Sequence, residues 1–82
     1  MARELSRQAL RGLLREIRPE SDFEASRDFL SDGMLDSFDM VALVAALDEA
    51  CGISIDGADI LPEHFQNLEA IAGLLRRYGV RP

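Results

Sequence analysis

Leu10, Leu13, Leu14 and Ile17 recur at i, i+3, i+4 and i+7, the spacing of one apolar helix face. The pattern predicts a first helix over roughly Arg3 to Ile17. Arg3, Arg7, Arg11 and Arg15 repeat every four residues on another face and read as a solvated stripe. Pro19 ends the helix, because the residue before a proline avoids helical geometry. A connection of about seventeen residues then runs from Pro19 to Leu35. Loops of that length are usually anchored or functional. Phe23, Phe29, Leu30, Met34 and Leu35 supply the anchors that should lay it on the core, and Gly33 permits a turn before the next helix.

A second helix is predicted from Asp36 to about Cys51, with Asp36 as N-cap, Asp39 at the third helical position in a capping-box arrangement, and Gly52 as its stop. At 100° per residue Met40, Leu43, Val44, Leu47 and Cys51 share one face, a core stripe. Phe38, Val41, Ala42 and Ala45 fall on the other side, flanked by Asp39, Asp48 and Glu49. A surface helix of a small bundle needs only one buried stripe. The second is either covered by the long connection or left for a partner, and its carboxylate rim favours docking.

Ile53-Ser54-Ile55 is too short for a strand and reads as a packed link. Pro62-Glu63-His64-Phe65 predicts a short third helix with proline at its first position. Asn67 caps a last helix, Leu68 to Tyr78, in which Leu68, Ile71, Leu74, Leu75 and Tyr78 are the apolar positions. Arg76 and Arg77 suit its C-terminal end. The expected architecture is all-α: a single domain over 1–82, a small four-helix bundle with a long loop between the first and second helices.

Charge sharpens the picture. The net charge is −6, there is no lysine, and the nine arginines lie at Arg27 or before and Arg76 or after. From Asp28 to Leu75 there are ten carboxylates and no lysine or arginine. Such a block repels nucleic acid and attracts basic protein surfaces. A lone cysteine, Cys51, excludes an internal disulfide. The N-terminal stretch, studded with arginines, reads as neither signal peptide nor membrane span. A cytoplasmic monomer without membrane insertion is expected.

Ser37 is the candidate for chemistry. It stands at the first turn of the second helix, beside free backbone N–H groups and the positive end of the helix dipole, where a phosphate on its hydroxyl would be held. Serine also suits a first helical turn for structural reasons, and spacing alone leaves both readings open. A hydrolase nucleophile would need a base and an oxyanion hole. The one histidine, His64, lies in another segment, and there is no G-x-S-x-G elbow. His64 and Cys51 make no zinc site, and neither Asp32-Gly33 nor Asp56-Gly57-Ala58-Asp59 has calcium-loop spacing. An enzyme is not expected.

The block from Asp32 to Leu75 resembles stand-alone acyl carrier proteins. Gly33-x-Leu35-Asp36-Ser37-Phe38 is similar to the family's attachment motif. Val41-x-Leu43-Val44-x-x-Leu47-Asp48-Glu49-x-x-Gly52-Ile53-x-Ile55 is similar to its second helix and the following link. Pro62-Glu63-x-Phe65-x-Asn67-Leu68-x-x-Ile71 resembles its last two helices. Asp36 before the serine differs from the Gly-Gly-x-Ser of peptidyl carriers. Phe38 and Ala42 stand where fatty-acid carriers usually have leucine and glutamate, and Leu35-Asp36-Ser37-Phe38 is shared with D-alanyl carriers.

The resemblance implies covalent 4′-phosphopantetheine on Ser37, joined by a phosphopantetheinyl transferase. It implies acyl cargo carried as a thioester for enzymes of fatty-acid, polyketide or related biosynthesis, with no catalysis by the carrier itself. A loading ligase and downstream synthases or transferases would dock on Asp36, Phe38, Asp39, Val41, Ala42, Ala45, Asp48 and Glu49. A D-alanyl or other aminoacyl carrier is the first alternative, and an unmodified helical adaptor the second.

Overall fold

Three α-helices and a pairing of the chain ends make up the computed structural model, which describes residues 3–23 and 27–81, without the side chain of residue 3. The expected long connection is described except at 24–26, which lie outside these residues.

Helix α1 spans Arg7–Ile17 and starts one turn later than the expected Arg3. Ser6 caps it, its hydroxyl accepting from the Ala9 N–H at 3.1 Å. The preceding strand β1, Arg3–Glu4, pairs in parallel with β2, Val80–Arg81, in the register Arg3 to Val80 and Glu4 to Arg81. The Leu5 N–H extends the pairing by donating to the Arg81 carbonyl at 2.8 Å. Two residues per strand make no sheet layer, but they hold the two ends of the chain together over the buried Val80.

Helix α2 spans Ser37–Cys51 and α3 spans Leu68–Arg77, both within a residue of their predicted bounds. Local chemistry sets their ends. Asn67 accepts from the Ala70 N–H to start α3, and Gly52, at φ 63°, takes the left-handed conformation that closes α2.

The expected four-helix bundle is corrected to three α-helices among the described residues. The predicted short third helix is a 3₁₀ turn at Pro62–His64, preceded by another at Gly57–Asp59. Two turns in tandem are too short to build an α-helical hydrogen-bond ladder, whose nucleation costs several residues before it is repaid.

Leu10 and Leu14 of α1, Met40, Leu43, Val44, Leu47 and Cys51 of α2, and Ile71, Leu74 and Leu75 of α3 form the core. The long connection is laid onto it as expected. Phe23, Phe29 and Leu35 are buried, and the rings of Phe23 and Phe29 meet edge to face at 5.0 Å. Phe29 also anchors the backbone, donating its N–H to the Gln66 carbonyl and accepting from Met34 and Leu35. Ile53 to Ile55 form the packed link, with Ile55 buried.

Candidate functional site

The first turn of α2 is built by reciprocal capping. Asp36 Oδ1 accepts from the Asp39 N–H at 2.8 Å, and Asp39 Oδ2 accepts from the Asp36 N–H at 3.1 Å. Ser37, the first helical residue, sits inside this box with its side chain exposed. The connection that precedes it ends on the buried Leu35, so the serine is presented from a fixed base. One expectation changes here: the helix-end donors are not all free, because the Asp36 carboxylate already holds that of Asp39.

Arg18 completes the turn from across the fold. It is the C-cap of α1, and its Nε donates to Asp39 Oδ2 at 2.7 Å while Nη2 donates to Asp36 Oδ2 at 3.3 Å. Nη1 lies 3.5 Å from Glu20 Oε1. Desolvation works against the guanidinium charge, but Asp39, Asp36 and Glu20 outweigh it and raise the Arg18 pKa further. The Asp36 carboxyl is held below its ordinary value, first by the hydrogen bond from the Asp39 N–H and then by the Arg18 charge, against some desolvation. Arg18 carried no motif and no periodicity; its only signal in sequence is its place as the last base before the turn into Pro19.

The second face of α2 is open. Phe38 is 80% exposed, Val41 60% exposed and Ala45 exposed, so the long connection does not cover them. Ala42 is half-buried and Glu49 exposed. Two expected rim carboxylates turn inward instead. Asp39 is only 8% exposed, because the cap and Arg18 draw it in, and it is no part of an outer rim. Asp48 is half-buried and accepts from the Ile55 N–H at 2.9 Å, pinning the link after α2.

The remaining candidates are structural. His64 Nδ1 lies 2.8 Å from the Asp59 carbonyl oxygen. Tyr78 donates to Asp59 Oδ2 and accepts from the Asp56 N–H, and its hydroxyl pKa is raised, chiefly by that Asp59 bond. This network ties the 3₁₀ turns to the end of α3. Cys51 is buried on the core stripe. No group of three or more metal-ligating side chains occurs among the described residues. A recess between α1, the long connection and the start of α3, lined by Arg11, Phe23, Phe29 and Leu68, contains no residue of that turn.

An exposed serine thus stands at a capped helix start on a small helical fold. Residues 7–75 match the model of the phosphopantetheine attachment site family, and the chain belongs to that family. No curated protein and no solved structure matched the chain. Family membership makes it a non-catalytic carrier of covalent 4′-phosphopantetheine that works with a phosphopantetheinyl transferase and biosynthetic enzymes. The unmodified adaptor is thereby set aside. No helix among the described residues is long and apolar enough to cross a membrane.

Proposed function

We propose that Ser37 is the attachment residue and that the chain is an acyl carrier protein, presenting acyl groups to enzymes of fatty-acid, polyketide or related biosynthesis. The observation that carries the reading is the exposed Ser37 within Leu35-Asp36-Ser37-Phe38, held at the first position of α2 by the Asp36–Asp39 box. When bound, the prosthetic group supplies a thiol that carries the cargo as a thioester. The protein's own part is to hold the serine outward on a rigid turn and to bring the cargo to each enzyme at high effective concentration. Ser37 needs no base of its own, since the transferase supplies the chemistry.

Docking belongs to the open face of α2. Val41 and Ala45 form its apolar centre, Phe38 and Ala42 flank it, and Glu49 and Asp36 are its outward carboxylates. A basic surface on the loading ligase or the downstream synthase fits that face. We take the carrier to act as a cytoplasmic monomer. A D-alanyl or other aminoacyl carrier is the second reading, favoured by Phe38 directly after the Asp-Ser pair.

Intact mass spectrometry tests both levels. Incubation with coenzyme A and a broad-specificity transferase should add one phosphopantetheine to the wild type and none to Ser37→Ala. Modification that survives in Ser37→Ala would refute the site. Protein isolated from its native cells should carry an acyl mass, and a mass one alanyl group above the holo form would decide for the second reading.

A further inference from the structure

We infer that Arg18 is a positioning residue for the loading of Ser37: it cancels the charge of Asp39 beneath the serine and clamps the cap that presents it. The inference rests on Ser37 being the attachment residue.

Three observations carry it. The segment Asp28 to Leu75 holds no lysine or arginine, and its one histidine, His64, is engaged with the Asp59 carbonyl, so the cation at this turn comes from elsewhere in the chain, from Arg18, 18 residues before Asp36. Asp39 is a buried carboxylate, and one oxygen, Oδ2, takes both the Arg18 Nε–H at 2.7 Å and the Asp36 N–H at 3.1 Å. The same guanidinium reaches the other carboxylate of the cap, at a longer 3.3 Å. Asp39 is therefore neutralised and Asp36, whose side chain is 62% exposed, stays available to an approaching protein.

The chemistry makes that division matter. In loading, Ser37 Oγ forms a bond to the pantetheine-bearing phosphorus of coenzyme A. The P–O bond to the adenosine-bearing phosphate breaks, adenosine 3′,5′-bisphosphate leaves with the electron pair, and the hydroxyl proton passes to solvent or to the transferase. A diphosphate donor and a phosphodiester product both place negative charge beside the first turn of α2. A bare Asp39 would repel both; Arg18 offsets that repulsion, and its longer contact to Asp36 leaves that carboxylate mostly exposed. Loss of Arg18 makes the turn more acidic, which does not weaken attraction to a basic transferase but does oppose the transfer.

Initial loading rates against carrier concentration separate this from plain stabilisation. The carrier is the varied substrate, so a smaller folded fraction raises apparent KM and leaves kcat unchanged, whereas a misplaced or over-charged turn lowers kcat. Arg18→Gln should lose about five- to tenfold in kcat, within what displacement of a reacting group costs, with KM unchanged or lower. Arg18→Lys should keep at least about half of wild-type kcat, since it keeps the charge. Arg18→Gln combined with Asp39→Asn should return to within about twofold of wild type, because the buried carboxylate left without its cation is gone. All arms are run with trimethylamine oxide, which favours the folded state should Arg18→Gln be unstable. An unchanged kcat in Arg18→Gln, a loss confined to KM, or a double variant no better than the single one overturns the inference. A wild type that is not loaded, or a Ser37→Ala that is, overturns the attachment reading instead.

Discussion

Asp36 and Asp39 lie three positions apart and end in opposite environments. Asp36 stays exposed and Asp39 is buried against Arg18, although both cap the same helix. The difference has a pH signature. Asp36 has a lowered pKa in the folded protein, and so does Glu69, through the Arg7 hydrogen bonds at 2.9 and 2.7 Å and then the Arg7 charge. A carboxyl whose folded pKa is depressed adds stability above its unfolded value. That stability is lost as pH falls through the folded value. Melting temperature should therefore hold from neutral pH down to about 5 and drop below the ordinary carboxylate range, near about 4. Asp36→Asn keeps the capping acceptor but not the charge, so its melting temperature should fall less steeply over the same interval. Equal acid slopes for the two proteins would show that the Asp36 ionisation contributes nothing. The residue scale is also where the sequence was least readable. Asp36, Ser37 and Asp39 are legible because a cap is a local arrangement, but the burial of Asp39 is imposed by Arg18, and no local pattern announces a partner that far along the chain.

At the scale of elements, α2 carries the argument, because its two faces meet different surroundings. Leu43 is fully buried while Val41, two residues earlier, is largely exposed. Leu43→Ala should cost about 2–5 kcal/mol, the range for emptying a core leucine site. Val41→Asp should change stability by no more than about 0.5 kcal/mol, since it stands in the open and the two residues have similar helix propensity. Its effect should fall on loading, measured with a cognate ligase alongside urea melts. If Val41→Asp unfolds the protein while the folded remainder loads normally, the face is not the docking surface. Periodicity placed the inner stripe of α2 without error, and Asp36, Gly52 and Asn67 set helix ends through chemistry confined to a few neighbours. Where that local chemistry was ambiguous the reading failed. The arginine period runs on across Ser6 to Arg3, which hides the cap there and the strand before it. Pro62 does open a short helical turn, but it is a 3₁₀ turn and adds no fourth helix to a bundle. The pairing of β1 with β2 joins the two ends of the chain, and two-residue strands leave no alternation to detect.

Over the whole molecule the acidic block is real, but the fold returns arginines to it. Arg18 reaches Asp39 and Asp36, Arg7 reaches Glu69, and Arg77 comes within 3.5 Å of Asp59. These contacts do not balance the account, because fifteen carboxylates face nine arginines and the net charge stays at −6. Two opposed effects of salt follow. Screening weakens the exposed Arg7–Glu69 pair, of the surface kind that contributes about 0–1 kcal/mol, and to a lesser degree the longer contact of Arg77 with the half-buried Asp59. Screening also relieves the repulsion among the unpaired carboxylates, which acts over longer distances and is therefore the more sensitive of the two. Arg18–Asp39, being partly buried, is screened least. Between about 0.01 and 0.15 M salt the Debye length shrinks from about 30 to about 8 Å, which removes the long-range repulsion while leaving contacts near 3 Å largely intact. The melting temperature should thus rise with salt over that interval, by a few degrees if the relief is worth about 0.5 kcal/mol in a domain of this size. Glu49→Arg, which cuts the net negative charge by two without touching a pair in the fold, should raise the low-salt melting temperature and flatten its salt dependence. Scanning calorimetry of both proteins at the two salt levels is the measurement. A wild-type melting temperature that falls with salt would mean that the arginine pairs, and not the repulsion, govern the electrostatics of the fold.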